Sequence, residues 1–546
     1  MKHYKRYFLL PLLLSLLVAS SCKKDLAINN PNSPTAADAQ TETGIISLAK
    51  GAVYSNGFNG VDLTGLNWLG SSFFSLCYAY ADLMADNIAA ATASNQDINV
   101  VNLPTAVTFD DGTTQNATSN QRTILRAANA RSARSSNPFY YEWAYMYALN
   151  NACNNLLDNI PLVHFSGDSA VKVQTLQTWA YWWKGYAYAR IGSLYIAGLI
   201  ADTSFTTNPT FLAHDAIIAE SNKNLDKAAS LLSGITNADD YSATLGLLIP
   251  EFNQVFHGGV LTTDMWLHNI NTLKARNLLA NKRLAAMTDG DWAALKTLTD
   301  NGITADDYIF NAVTVSTAGY MSASSGSVTA MSTTTSSTFT ISERLIQDYR
   351  PGDQRMVQNF PARTKPLLNQ TGGFTFSTRW YLANGGTGSG GDAIVLSDRT
   401  AGNFELYVAG SYEENALIQA EALIFTGHTD EGLALVDAVR DYQGAGLTPV
   451  SGTGLSADSA KEELRRERRV ALVFRGTSFY DARRWGITDD VSKGGGRKNA
   501  VVLSTAGVLN THATINYNFL DYWDVPADET ELNPPAANSA PTKNPN

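Results

Sequence analysis

Among the reactive side chains of this 546-residue chain, Cys22 stands in the most informative company. It follows Lys2, Lys5 and Arg6, an apolar run from Phe8 to Val18 broken only by Pro11 and Ser15, and the small residues Ala19, Ser20 and Ser21. A positive start, a short apolar centre and small residues make a secretory signal, too short to persist as a membrane span. A cysteine at the cleavage point has a chemical use. Its thiol can take a diacylglycerol and its freed amino group a further acyl chain, and several buried chains make anchoring stable where one does not. Residues 1–21 therefore read as a lipoprotein signal peptide. Residues 22–40 read as the lipidated cysteine and a flexible tether, because the stretch after Lys23-Lys24-Asp25 is polar and contains Asn and Pro.

Catalytic constellations are not visible. The seven histidines are scattered and none forms H-x-x-x-H, so a zinc hydrolase has no ligand set. There is no G-x-S-x-G nucleophile elbow and no phosphate loop. Asp110-Asp111 has the groups a glycosidase needs, but adjacent positions say nothing of the required separation, and solvated loop acids are the plainer reading. The glycine-rich run 385–391 does not lie between a strand and a helix as a dinucleotide loop must. The arginines Arg465, Arg466, Arg468, Arg469, Arg483 and Arg484 are interleaved with Glu462, Glu463, Glu467 and Asp481, a pattern that neutralises itself through i,i+4 pairs. No enzyme activity, cofactor or metal is expected.

The remaining chain is globular by composition, with 44% hydrophobic and 16% charged residues. A net charge of −10 argues against a nucleic-acid partner. Cys77 and Cys153 leave two readings open, a disulfide or two buried thiols. Long amphipathic helices dominate. Trp179, Trp182, Trp183, Tyr186, Arg190 and Leu194 recur at helical spacing within 178–197, a stripe that reads as packing. Helices are expected over 413–425, stopped by Gly427, and beyond Thr429 as a cap, giving a helical hairpin with Leu435, Val436 and Val439 on one side. Further helices are expected over 140–160, 216–232, 274–287 and 292–299, the last two separated by a turn at Asp289-Gly290-Asp291. These pairs look tetratricopeptide-like, a scaffold that binds through what is mounted on it. Residues 88–137, 316–340 and 372–398 are rich in Asn, Thr, Ser, Gly and Ala, and segments this long suggest β-hairpins and loops covering one side of the helices.

The segment 461–486, KEELRRERRVALVFRGTSFYDARRWG, closely resembles the SusD/RagB signature. Other stations agree in order: YMYALNNACNNLLDNIP at 145–161, ISERLIQDYRPGDQRM at 341–356, the helix at 407–427 with Glu421-Ala422, and WDVPADETELNPP at 523–535. The resemblance implies a mainly α fold, four tetratricopeptide-like hairpins with a loop-rich, partly β ligand-binding face. It implies one SusD-like domain over 41–546, with ligand-face insertions at 88–137 and 301–400 and the C-terminal hairpin and signature at 404–486. It also implies a lipid-anchored, cell-surface protein of the outer membrane that captures an oligosaccharide, or alternatively a peptide, and passes it to a SusC-like TonB-dependent barrel. A surface glycan hydrolase and an adhesion lipoprotein are the rival classes.

Sugar rings present apolar C–H faces, so carbohydrate sites stack them on aromatics and use polar side chains for the hydroxyls. Aromatics near the irregular segments are Trp68, Tyr320, Trp380 and Tyr381, each with core or sheet packing as its alternative. Starch-binding members of the family carry a stacking Trp in the loop corresponding to 88–137. This sequence has none there and offers Phe109 with Asn95, Gln96, Asp97, Asn102, Asp110, Asn120, Arg122 and Arg126, so a more polar or charged glycan, or a peptide, is the expectation in place of starch. Asn95 and Asp97 are carried over by position.

Overall fold

The computed structural model describes residues 38–54, 73–90, 101–313, 339–368, 377–383, 391–398 and 405–545, and these are mainly helical. Side-chain caps set where the helices begin. Asn137 accepts a hydrogen bond from Phe139 N, and Pro138 fits the first turn of α1 (Pro138–Asn159). Asp168 accepts from Val171 N and starts α2 (Ser169–Leu194) well before the expected Thr178. It ends at Leu194, because Tyr195 turns extended and the Ile196 amide bonds to Trp523 O instead. α3 (His214–Ser233) lies close along α2. A Cβ at Gly185 would meet the Leu225 side chain at 2.7 Å, so the glycine permits the approach.

Thr262 caps α4 (Thr263–Ala280), which therefore lies upstream of the expected 274–287 helix. Thr288 and Asp291 form a reciprocal capping box at the start of α5 (Asp289–Asp300). Asp289-Gly290-Asp291, expected as a turn, is thus the first turn of that helix. α6 (Tyr412–Phe425) and α7 (Thr429–Tyr442) make the expected hairpin, with Gly427 at φ +90° between them. Ser411 caps α6, whereas α7 has His428 at the cap position and no side-chain cap; Thr429 is already helical. α8 (Ala457–Ala471) packs on both, and α9 (Ser478–Arg484) follows.

The second half of α2 is buried nearly all round, which explains why its apolar residues do not confine themselves to one face. Phe310 sits among Trp179, Trp182, Trp183 and Trp266, with ring centroids 5.9, 5.4, 5.3 and 5.4 Å away. The tryptophan stripe is core, in a tilted and edge-to-face arrangement that favours the rings' quadrupoles. Cys77 and Cys153 are both buried free thiols. Burial pushes the Cys77 thiol well up and the Cys153 thiol up to about 12.

The strands are short: β1 (Ile88–Ala90), β2 (Ala106–Thr108), β3 (Thr114–Asn116), β4 (Asn311–Val313), β5 (Phe339–Ile341), β6 (Ala362–Leu367), β7 (Thr378–Trp380), β8 (Glu405–Tyr407), β9 (Arg497–Leu503) and β10 (Leu509–Asn516). β1 pairs with β5, β4 with β8 and β6 with β7, all antiparallel. The four-stranded sheet runs β9-β10-β2-β3, so a hairpin from the first quarter of the chain extends one from its end. Asp110, in the β2–β3 turn, accepts from the Thr511 and His512 amides at 2.8 and 2.9 Å, and Asp111 accepts from Thr113. These bonds hold both carboxyls below their usual range, the opposite of what a glycosidic acid requires.

Asp82 shows what burial costs when donors fall short. Its Oδ1 accepts from Asn87 Nδ2, Ser478 Oγ and Phe474 N, while Oδ2 has no partner among the described residues. Burial outweighs these donors and pushes the carboxyl up to about 6. Folding therefore favours the protonated form, so stability falls as pH rises from about 4 to about 6 and then levels off, by up to about 3 kcal/mol. Asp82→Asn should gain stability over the parent across that interval in urea denaturation. A difference that stays constant from pH 4 to 7 would show that Asp82 titrates normally.

Candidate functional site

Cys22, Trp68, Asn95, Asp97 and Tyr320 lie outside the described residues. Trp380 and Tyr381 lie within them, at the end of β7. Glu343, 1% exposed at the start of the short helix Glu343–Ile346, organises this strand. It accepts from the Arg379 amide at 2.7 Å, the Arg379 guanidinium at 2.8 Å and the Trp380 indole Nε1 at 3.1 Å. The polar edge of Trp380 is therefore engaged inward, and its half-buried ring packs against the core with the Arg379 guanidinium 5.6 Å from its centroid. Arg363 donates to Trp380 O at 2.9 Å and lies 5.9 Å from the Tyr381 ring. Tyr381 is half-buried and so keeps a partly open aromatic surface beside a cation.

The β1–β5 ladder pairs Ala90 with Phe339. Ala90, just before 91–100, and Phe339, just after 314–338, are thus ladder neighbours far apart in sequence. β7 packs beside β5, and Glu343, two residues after β5, holds Trp380. The chain positions flanking Asn95, Asp97 and Tyr320 and the strand bearing Trp380 are brought to one region of the fold. That juxtaposition is the candidate ligand face.

The arginine-rich segment serves the scaffold. Arg484 donates to both Glu421 oxygens at 2.6 Å and to Asp481 at 2.7 Å, and Arg468 also grips Asp481. Arg355 and Arg440 converge on Glu467 at 2.6 and 2.8 Å. Arg465 and Arg469 share Asp348, and Arg483 donates to three backbone carbonyls, those of Ser193, Ala280 and Asp521. Ion pairing is structural, as expected, but its partners are mostly remote. Pairs along one helix are Glu462 with Arg465 and Arg466 in α8 and Asp481 with Arg484 in α9. Neighbouring arginines hold the Glu467 and Asp481 carboxyls down against the burial that alone would raise them. No cluster able to hold a metal ion occurs among the described residues.

A second aromatic surface escaped sequence reading. Phe256 is 62% exposed and held at φ +50°, a region bulky residues rarely adopt. Its ring lies 4.0 Å from His257, whose Nε2 is 2.6 Å from the Tyr442 hydroxyl, and Tyr442 in turn lies 4.9 Å from Tyr412. These residues come from distant parts of the chain, so only the fold assembles them. The one local signal was the aromatic at 256 before Gly258-Gly259.

Residues 412–541, which contain this ion-pair lattice, match the SusD family model. A SusD superfamily protein from Bacteroides thetaiotaomicron shares the fold over 94% of this chain and 100% of its own, at 13% identity and a TM-score of 0.54. Residues 412–541 thus carry the SusD family pattern, on a fold similar to that of solved SusD superfamily proteins. A putative sugar binding protein from Bacteroides vulgatus is similar in fold over 90% of this chain and 95% of its own, at 16% identity and a TM-score of 0.52. So is a structure solved with xylogluco-oligosaccharide, over 92% and 99%, at 13% identity and 0.54. No curated protein matches.

Arg468 and Arg484 owe their place to Glu421 and Asp481. Glu421→Gln leaves the fully buried Arg484 and Arg468 short of charge and should cost about 3–5 kcal/mol in chemical denaturation. Replacing Glu421 and Arg484 together by Met should cost less than the two single changes summed. A loss below about 1 kcal/mol for Glu421→Gln would show that the lattice is not under electrostatic constraint.

Proposed function

We propose that this chain is a glycan-binding lipoprotein of the outer-membrane surface, acylated at Cys22, which captures an oligosaccharide and delivers it to a SusC-like TonB-dependent barrel. The reading is carried by one observation: on a SusD-like scaffold, the β1–β5 ladder sets the flanks of 91–100 and 314–338 beside the strand that bears Trp380 and Tyr381. Aromatic faces there would take the apolar faces of sugar rings, and Asn95, Asp97, Arg363 and Arg379 their hydroxyls, with Trp68 and Tyr320 as further stacking residues. The putative sugar binding protein and the xylogluco-oligosaccharide structure, both alike in fold, support a saccharide over other ligands. A peptide is the second reading, favoured by the Arg363 guanidinium beside Tyr381. The adjacent Asp110 and Asp111 carboxylates are engaged in hydrogen bonds at a turn, which supports capture without chemical change.

No helix among the described residues is long and apolar enough to cross a membrane, so attachment is assigned to the acyl chains on Cys22. Cys22→Ser should move the protein from the membrane to the soluble fraction of cells. Retention in the membrane would sink the anchoring assignment.

Capture is tested by calorimetry on chain lacking residues 1–22, against neutral oligosaccharides and short peptides. Tyr381→Ala should weaken oligosaccharide binding tenfold or more, about 1.4 kcal/mol, and leave the circular dichroism unchanged. Phe256→Ala should not alter affinity. If Phe256→Ala abolishes binding and Tyr381→Ala does not, the capture face is the Phe256–Tyr442 surface; if only peptides bind, the saccharide reading falls.

A further inference from the structure

Where α8, β9 and the turn after Glu343–Ile346 meet, an open pocket of about 310 Å3 has a lining unlike any sugar platform. It contains no aromatic ring. Six cations line it, Arg344, Arg465, Arg466, Arg469, Arg497 and Lys498. Only three carboxylates face them: Asp86 on Arg344 and Arg497, Asp348 on Arg465 and Arg469, and Glu462 on Arg465 and Arg466. Three positive charges are therefore unmatched within the pocket, on a chain whose net charge is −10.

The wall carrying two of these cations is built deliberately. β9 breaks register between Arg497 and Ala500, and Asn499 adopts φ +53° within the irregularity. Gln347 clamps it from both sides, donating to Asn499 O at 2.7 Å and accepting from Val501 N at 2.9 Å. Bulges of this kind re-aim side chains and cluster near functional sites. Arg497 donates to Ala85 O at 2.7 Å, yet its buried Nε has no hydrogen-bond partner among the described residues, standing 3.6 Å from Asp86. Arg466 spends Nε on Glu462, and its Nη1 reaches only a marginal 3.5 Å contact with Gln347 O. Lys498 is exposed at the rim. Burial, and then the charge of Arg497, lower the Arg469 guanidinium to about 10, which marks the same unrelieved repulsion.

We propose that this pocket binds a small oxyanion, a sulfate, phosphate or carboxylate group on a soluble molecule, held by Arg466, Arg497 and Lys498. Guanidinium groups suit such ligands because their planar donors pair with two oxygens at once. The site is separate from the aromatic strand, so it goes beyond the proposed capture of a neutral saccharide and stands or falls independently of it.

The test uses the full chain in a non-ionic detergent, titrated calorimetrically with sodium sulfate, sodium glucuronate or glucose, with ionic strength held constant by sodium chloride. Sulfate or glucuronate should bind saturably at one site, and glucose should not compete for it. Arg466→Gln with Lys498→Gln should weaken that binding at least tenfold, while Arg466→Lys with Lys498→Arg retains it. Thermal unfolding without anion should occur at the same or a higher temperature in the Gln pair, since repulsion is relieved, which separates lost binding from lost folding. Absence of saturable binding by either anion overturns the proposal. So does equal affinity in parent and Gln pair, the sign of an adventitious ion only.

Discussion

Burying guanidinium groups is the constraint around which this molecule is arranged. Arg355, Arg440, Arg468, Arg469 and Arg484 are nearly inaccessible to water, and each guanidinium carries five donors that must find acceptors. No single helix can supply them. The acceptors come from α6 through Glu421, from α8 through Glu467, from α9 through Asp481, and from the segment after β5 through Asp348. Such pairs add little net stability over an apolar core, but a displaced partner leaves a buried charge exposed to low dielectric. The lattice therefore acts on geometry. It ties the terminal helical hairpin to the strands that carry the candidate ligand face.

Division of labour follows. Stability resides in the helical core, where Phe310 is enclosed by four tryptophans, while strands of two or three residues would be marginal alone. Those strands work as fasteners. β1 on β5 and β4 on β8 tie together chain positions remote in sequence, and Glu343 locks Trp380 against them. The scaffold thus bears the folding free energy, and the face it presents is free to be polar.

Much of the helical scaffold was legible in the sequence, because apolar spacing and Gly427 mark α6 and α7 and the tryptophan stripe marks α2. Boundaries were less so. Asp289-Gly290-Asp291 has turn composition, yet Thr288 and Asp291 cap each other and draw it into α5. The arginines were recognisable as structural, but helical spacing suggested local partners, and Glu421 and Asp348 come from other parts of the chain. The candidate site was legible only as residue types. Nothing in the pattern showed that Trp380 gives its indole N–H to Glu343, or that Phe256 and Tyr442 meet through His257. Contacts between remote segments are decided by packing, which leaves no period in the sequence.

The pairing of Ala90 with Phe339 also bears on how such a protein can diversify. A segment whose two ends are fastened to fixed ladders can grow or shrink at little thermodynamic penalty, since doubling its length adds only about 0.6 kcal/mol of closure entropy. The stretch 314–338 starts and finishes at such fasteners, and 91–100 starts at one. Insertions, deletions and wholesale exchange there should be tolerated by a scaffold whose own contacts do not change. A lineage built this way can acquire new surfaces by splicing segments between anchors, with the helices and their arginines inherited intact.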